Sequence, residues 1–134
     1  MNVIIRGKVV RGLGEGSKYV ELYRDLLRRA LGIEPFPGTL NVVVDSGSLD
    51  KLQMLLKSKP HAVIEPPSKE YRAVLAWKAR VNGYRAYLIK PLASKHPEQV
   101  IEFIADVNLR ECLRIQNGSE VIIDAEVELS SPPP

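Results

Sequence analysis

Thr39 and Asn41 are the residues of this chain best suited to hold a cation. They stand in Gly38-Thr39-Leu40-Asn41, which opens the apolar run Val42-Val43-Val44. A glycine turn feeds a strand there, and alternate side chains of a strand share a face. A hydroxyl oxygen and an amide oxygen therefore lie side by side, with no carboxylate between them. Two neutral oxygens suit a hard cation that keeps most of its waters and takes its remaining charge from phosphates, as Mg²⁺ does at nucleotide sites. The plain alternative is a Gly-Thr turn opening an ordinary strand, with Asn41 facing water.

A second stretch has the composition to meet phosphates. Arg11-Gly12-Leu13-Gly14-Glu15-Gly16-Ser17-Lys18-Tyr19 carries a glycine at every second position. Glycines there allow left-handed or close-approach backbone, so successive N–H groups can face an anion. The stretch matches neither common phosphate fingerprint. The Walker pattern needs a glycine directly before the lysine, and Ser17 stands there; the dinucleotide pattern needs a third glycine, again at Ser17. A flexible connection between two elements is the alternative.

The elements that must position these residues are mostly strands. Val3 to Val10 alternates and is rich in β-branched residues. Val20 to Leu31 has apolar residues at helical spacing, a charged back that includes Arg28 and Arg29, and Gly32 as its C-terminal cap. Pro35 and Pro37 force an extended entry to Gly38. Leu49, Leu52, Leu55 and Leu56 suggest a short helix, and the prolines at 60, 66 and 67 make the remainder of that region irregular. Tyr71 to Val81 and Tyr84 to Ile89 read as strands joined by a tight Asn82-Gly83 turn, with Trp77 a core residue rather than a stacking platform. Val100 to Val107 reads as a strand, Asn108 to Leu113 as a helical turn, and Glu120 to Leu129 as a last strand. Such a chain favours a small closed β-barrel over a sandwich, because closure leaves no edges to protect.

The totals narrow the function classes. The 134 residues predict one domain over 1–129, with 130–134 as a tail that cannot pack. No apolar run approaches the roughly 18 residues of a membrane span. The start, Met1 to Arg6, is a strand pattern without a signal peptide's apolar region. A lone Cys112, expected to face the core, gives no disulfide frame and fits a reducing cytoplasm. The net charge of +3 suits an anionic ligand, either a nucleotide or nucleic acid. Asp45 falls on the face of Asn41 if that strand stays regular, which makes it a weak candidate for a base; His61 and His96 sit in proline-flanked loops and read as surface residues.

Three blocks in this order resemble the archaeal CTP-dependent riboflavin kinases. They are Gly7 to Gly16 (GKVVRGLGEG), Pro35 to Asn41 (PFPGTLN) and Glu102 to Glu111 (EFIADVNLRE), the last followed by Asn117-Gly118. The resemblance implies a mainly β fold, a six-stranded Greek-key barrel with cradle-like loops and one or two short helices. It implies transfer of the γ-phosphoryl group of CTP to the 5′-hydroxyl of riboflavin, giving FMN and CDP. In that reading Gly12, Leu13, Gly14, Glu15, Gly16 and Ser17 wrap the nucleotide phosphates, with Lys18 an additional cation. Thr39 and Asn41 hold Mg²⁺. Val107, Asn108, Leu109 and Arg110 line the nucleotide site, largely through backbone, and Ser94 and Glu102 contact the flavin. Glu102 is also the better-placed candidate for a catalytic base, although none is assigned. Glu15 would repel a triphosphate and is expected to point away or to bind a positive neighbour. The partners implied are small molecules, with no nucleic acid, no membrane and a monomeric state. The chain departs from the family pattern at Ser94, where threonine is usual, and at Asp106, where proline is usual. Asp106 loosens the backbone and adds negative charge near the proposed nucleotide site.

Leu109 to Ile122 also resembles the swapped-hairpin DNA-binding domains of bacterial transition-state regulators. Those barrels carry neither the glycine-rich loop nor Gly-Thr-Leu-Asn, and the arginines here are spread along the chain instead of clustered.

Overall fold

The computed structural model describes residues 1–12, 16–92 and 99–128. Its strands are β1 (Asn2–Val10), β2 (Leu40–Val44), β3 (Ala62–Ile64), β4 (Val74–Val81), β5 (Tyr84–Pro91), β6 (Val100–Ile104) and β7 (Glu120–Glu126). Its α-helices are α1 (Gly16–Leu31), α2 (Leu49–Lys57) and α3 (Leu109–Leu113).

Six strands close into a ring. The order runs β4-β5-β6-β2-β1-β7, and β7 pairs back onto β4 through Ala79↔Ala125 and Val81↔Ile123. All pairings are antiparallel. The connections are of Greek-key type: β6 lies beside β2, and β7 returns beside β1. The expected six-stranded barrel is thus present, and β3 adds a seventh strand on the first half of β4. This β3 lies in the region expected to be irregular. Three residues are too few for alternation to show, so partnership with β4 makes the strand. The helices outnumber the one or two expected among the described residues, and α1 at 16 residues is not short.

Alternation decides what fills the barrel. On β1, Val3, Ile5 and Val9 turn inward while Ile4, Arg6 and Lys8 face solvent. Trp77, Leu88, Phe103 and Ile123 join them inside, so Trp77 is a core residue as expected. Helix α2 closes one end, with Leu52 and Leu55 fully buried in the same cluster. The Ser48 hydroxyl before it accepts a hydrogen bond from Arg6 N at 3.0 Å.

Helix α1 covers part of the outside. Val20, Tyr23, Leu27 and Leu31 recur on one face and pack on Ile64, Val74, Ala76, Ile89 and Ile104. Burying each of the large side chains is worth roughly 1.5–3 kcal/mol. Gly32 ends the helix at φ +71°, as the cap expectation required. The Tyr87 hydroxyl donates to the carbonyl of Leu31, at the end of the helix, at 3.1 Å. Arg28 and Arg29 are solvent-facing, and Arg28 pairs with Asp25 at 3.0 Å.

Several element boundaries differ from those the sequence pattern predicts. The helix begins at Gly16 instead of Val20, because its first turn lies over the end of β2 and not on the apolar stripe that sequence periodicity detects. The sixth strand stops at Ile104, where α3 begins to organise the chain. The last strand ends at Glu126. Cys112 is exposed and not in the core, because α3 is too short to bury both its faces and turns Leu109 inward instead.

Candidate active site

Strand β2 sits between β1 and β6, and its first residues carry the site. Leu40, Val42 and Val44 point into the barrel, so Asn41 faces outward, as the alternation predicts. Asn41 Nδ2 lies 3.4 Å from Thr39 Oγ1. Asn41 is nevertheless only 5% exposed, and its Oδ1 is buried with no hydrogen-bond partner. A buried amide oxygen without a partner costs on the order of 1–3 kcal/mol, so its presence asks for a ligand.

What covers Asn41 and Thr39 is glycine backbone. A Cβ on Gly16 would stand 2.6 Å from Thr39 Oγ1, and one on Gly12 would collide with the Asn41 amide. Neither glycine has a positive φ. The close-approach use is therefore the one that applies at these two positions, and the left-handed use is not. Gly16 also starts α1, so the free N–H groups of a 16-residue helix open directly over Thr39. Helix N-termini favour anions through those groups and the helix dipole. Ser17 and Lys18 of this first turn are exposed.

The two flanks of Asn41 differ. On the β1 side it pairs with Val10, just before Gly12. Arg110 Nη2 donates to Val10 O at 3.2 Å and to Asn117 Oδ1 at 2.8 Å, which ties α3 to this corner. Asn108 caps α3 by accepting from Glu111 N at 3.3 Å. Val107 and Leu109 pack into the barrel cluster, so their backbone is what remains to meet a ligand. The structure thus ties Arg110 to the end of β1, two residues before Gly12.

On the β6 side Asn41 pairs with Glu102, which is half-buried. Tyr19, in the first turn of α1, lies within reach of the Glu102 charge. Burial, then the neighbouring Tyr23, then Glu102 push its hydroxyl far above the usual tyrosine range. That hydroxyl is buried and has no hydrogen-bond partner. Tyr19 was not among the residues singled out from sequence; its spacing of four from Tyr23, with ring centroids 4.7 Å apart, is the signal that would have found it.

Asp45 does not join the site. It lies past the other end of β2, four residues from Asn41, or about 13 Å along an extended chain. The Asp106 carboxylate accepts the Tyr84 hydroxyl at 2.8 Å. The exposed His61 packs its ring 6.0 Å from that of Tyr87, outside this site. The expected roles of Leu13, Gly14, Glu15, Ser94 and His96 fall outside the described residues.

Among the described residues no three His, Cys, Asp or Glu side chains cluster to hold a metal. The donor set that could hold one is Thr39 Oγ1 and Asn41 Oδ1, although the amide is turned here so that Nδ2, and not Oδ1, faces Thr39 Oγ1. It is neutral, and one of its oxygens is unsatisfied. That fits a hard divalent cation that brings its own phosphate ligands.

A glycine-covered hydroxyl–amide pair under a helix N-terminus, on a small closed barrel, is chemically suited to a phosphate group and its divalent cation. Comparison with known proteins makes the class specific. Residues 9–125 match the family model CTP-dep_RFKase, described as "Domain of unknown function DUF120". The chain is 43% identical over 123 residues to a riboflavin kinase of Ignicoccus hospitalis, covering 89% of this chain and 69% of that one. It is 39% identical over 132 residues to a riboflavin kinase of Staphylothermus marinus, covering 97% and 98%. A riboflavin kinase of Aeropyrum pernix is 37% identical, covering 88% and 92%. The chain belongs to this riboflavin kinase family. No helix among the described residues is long and apolar enough to cross a membrane.

Proposed function

We propose that this protein transfers the γ-phosphoryl group of CTP to the 5′-hydroxyl of riboflavin, giving FMN and CDP. The observation that carries the reading is the Asn41 amide. It is buried and outward-facing, its oxygen is unsatisfied, and it lies under Gly12 beside a hydroxyl that lies under Gly16. Kinship with riboflavin kinases supports the acceptor, and the name of the matched family supports the nucleotide.

Phosphoryl transfer passes through a loose transition state, so the protein mainly positions reactants and stabilises spread charge. Backbone N–H groups at Gly12 and the start of α1 bind phosphate oxygens, and Lys18 adds a mobile positive charge. Thr39 and Asn41 would hold Mg²⁺, which when bound would offset the charge on the phosphates. Arg110 fixes the end of β1 against α3, and so fixes where the glycine backbone lies. Glu102 faces the acceptor side and Ser94 is assigned to the flavin. The enzyme acts on small molecules, as a monomer in the cytoplasm.

Incubating the protein with riboflavin, Mg²⁺ and CTP, UTP, GTP or ATP in separate reactions, then separating the flavins, tests this reading. FMN chiefly with CTP is expected. FMN chiefly with ATP would keep the kinase and overturn the nucleotide. No FMN with any of them, together with salt-dependent binding of duplex DNA, would replace the kinase by a binding barrel.

A further inference from the structure

A second unsatisfied group lies on the opposite flank of Asn41 from the glycine backbone. The sheet order β1-β2-β6 puts Gly12 on one side of Asn41 and Glu102 on the other. Helix α1 starts over Thr39 and runs out across Ile104 of β6 and Ile89 of β5. Tyr19, one turn from Gly16, is therefore carried to the Glu102 side, with its hydroxyl enclosed and unpartnered. The ring is held by Tyr23, whose own hydroxyl is committed to Arg72 O at 2.9 Å. Nothing comparable fixes the Tyr19 hydroxyl.

This asymmetry has a chemical reading that rests on the proposed kinase function. In an in-line transfer the donor and acceptor approach the transferred group from opposite sides. If phosphates occupy the Gly12 flank, the acceptor occupies the flank of Glu102 and Tyr19. Riboflavin presents a polyol chain there, ending in the hydroxyl to be phosphorylated. We infer that the Tyr19 hydroxyl binds that polyol chain, donating a hydrogen bond to one of its oxygens and so setting which hydroxyl meets the phosphate. The orphaned phenol is then a group desolvated in advance for its ligand, at a cost to the stability of the free fold. Burial keeps it protonated at every working pH, so it remains a donor.

Tyr19→Phe removes the hydroxyl and keeps the ring. Flavin fluorescence titrations of parent and variant with riboflavin, and with lumiflavin, which lacks the polyol chain, read the contact directly. Loss of one neutral hydrogen bond predicts a roughly tenfold weaker Kd for riboflavin and an unchanged Kd for lumiflavin. In turnover the KM for riboflavin rises in proportion, and the KM for the nucleotide stays as it was. The melting temperature holds or rises, because an unsatisfied buried group has gone. Equal weakening for both flavins, or an unchanged riboflavin Kd, overturns the inference. Parent protein that binds riboflavin in this Tyr19-dependent way but makes no FMN would sink the kinase reading and leave the polyol contact standing. Parent protein that binds no flavin would remove both.

Discussion

Gly16 packs against Thr39 so closely that a Cβ would come within 2.6 Å of the threonine hydroxyl oxygen. The same backbone atom begins α1, so one residue sets both the cover of the proposed metal pair and the position of the helix N-terminus. Gly12 does the equivalent for Asn41.

Alanine at either glycine should therefore damage activity more than stability. Gly16 is the first residue of α1, so alanine changes helix propensity little there, and the nearest atom it meets is the side-chain oxygen of Thr39, which can shift. The variant should fold with a melting temperature near that of the parent, while kcat/KM falls roughly a hundredfold through displacement of Thr39. Steady-state kinetics beside a thermal melt checks this. Full activity in Gly12→Ala and Gly16→Ala together would mean that the pair does not touch the substrates.

Thr39→Ala and Asn41→Ala test the metal assignment. Asn41 Oδ1 makes no hydrogen bond, so its loss should leave denaturant stability within about 1 kcal/mol of the parent. Turnover should fall at least roughly a hundredfold in each variant. The Mg²⁺ concentration needed for half-maximal rate should rise. Unaltered Mg²⁺ dependence in both would place the ion elsewhere.

Arg110→Ala removes the tie between α3 and the carbonyl of Val10. The expected result is a weaker nucleotide KM with little change for riboflavin, because the tie lies on the Gly12 flank. An equal effect on both substrates would argue against a division of the site into two flanks.

Leu27→Ala should act on the fold alone. Leu27 is fully buried under α1, away from Asn41. A cost of roughly 2–5 kcal/mol is expected from lost burial and the cavity left behind. Below the melting transition, KM for both substrates should match the parent. A changed KM would mean that α1 shifts as a body and carries Gly16 with it.

From pH 8 to about pH 10 stability should be level, and above that it should fall. Burial raises the Tyr19 and Tyr23 hydroxyls, and the hydrogen bond to Asp106 raises that of Tyr84. Above the ordinary tyrosine value near 10 the unfolded chain loses these protons first, so unfolding gains on folding as pH rises. Denaturant midpoints measured from pH 8 to 11 should show the decline, with a shallower slope in Tyr19→Phe. An equal slope in that variant would show that Tyr19 titrates normally.

Much of this protein was fixed by short-range pattern. Two-residue alternation placed Thr39 and Asn41 on one face and turned Val42 inward, and Asn82-Gly83 and Gly32 marked their turn and cap. These signals are local, because strand and helix periodicities are properties of the backbone itself. Only the closed barrel decided the rest. Val10 and Glu102 reach Asn41 from positions 31 and 61 residues away along the chain, through pairing across β1-β2-β6. Strand β3 exists because β4 offers it an edge, and Cys112 faces water because α3 buries Leu109 instead. The use of Gly12 and Gly16 was likewise settled in three dimensions. Sequence shows that a glycine is small, and the fold shows which side chain needs the space.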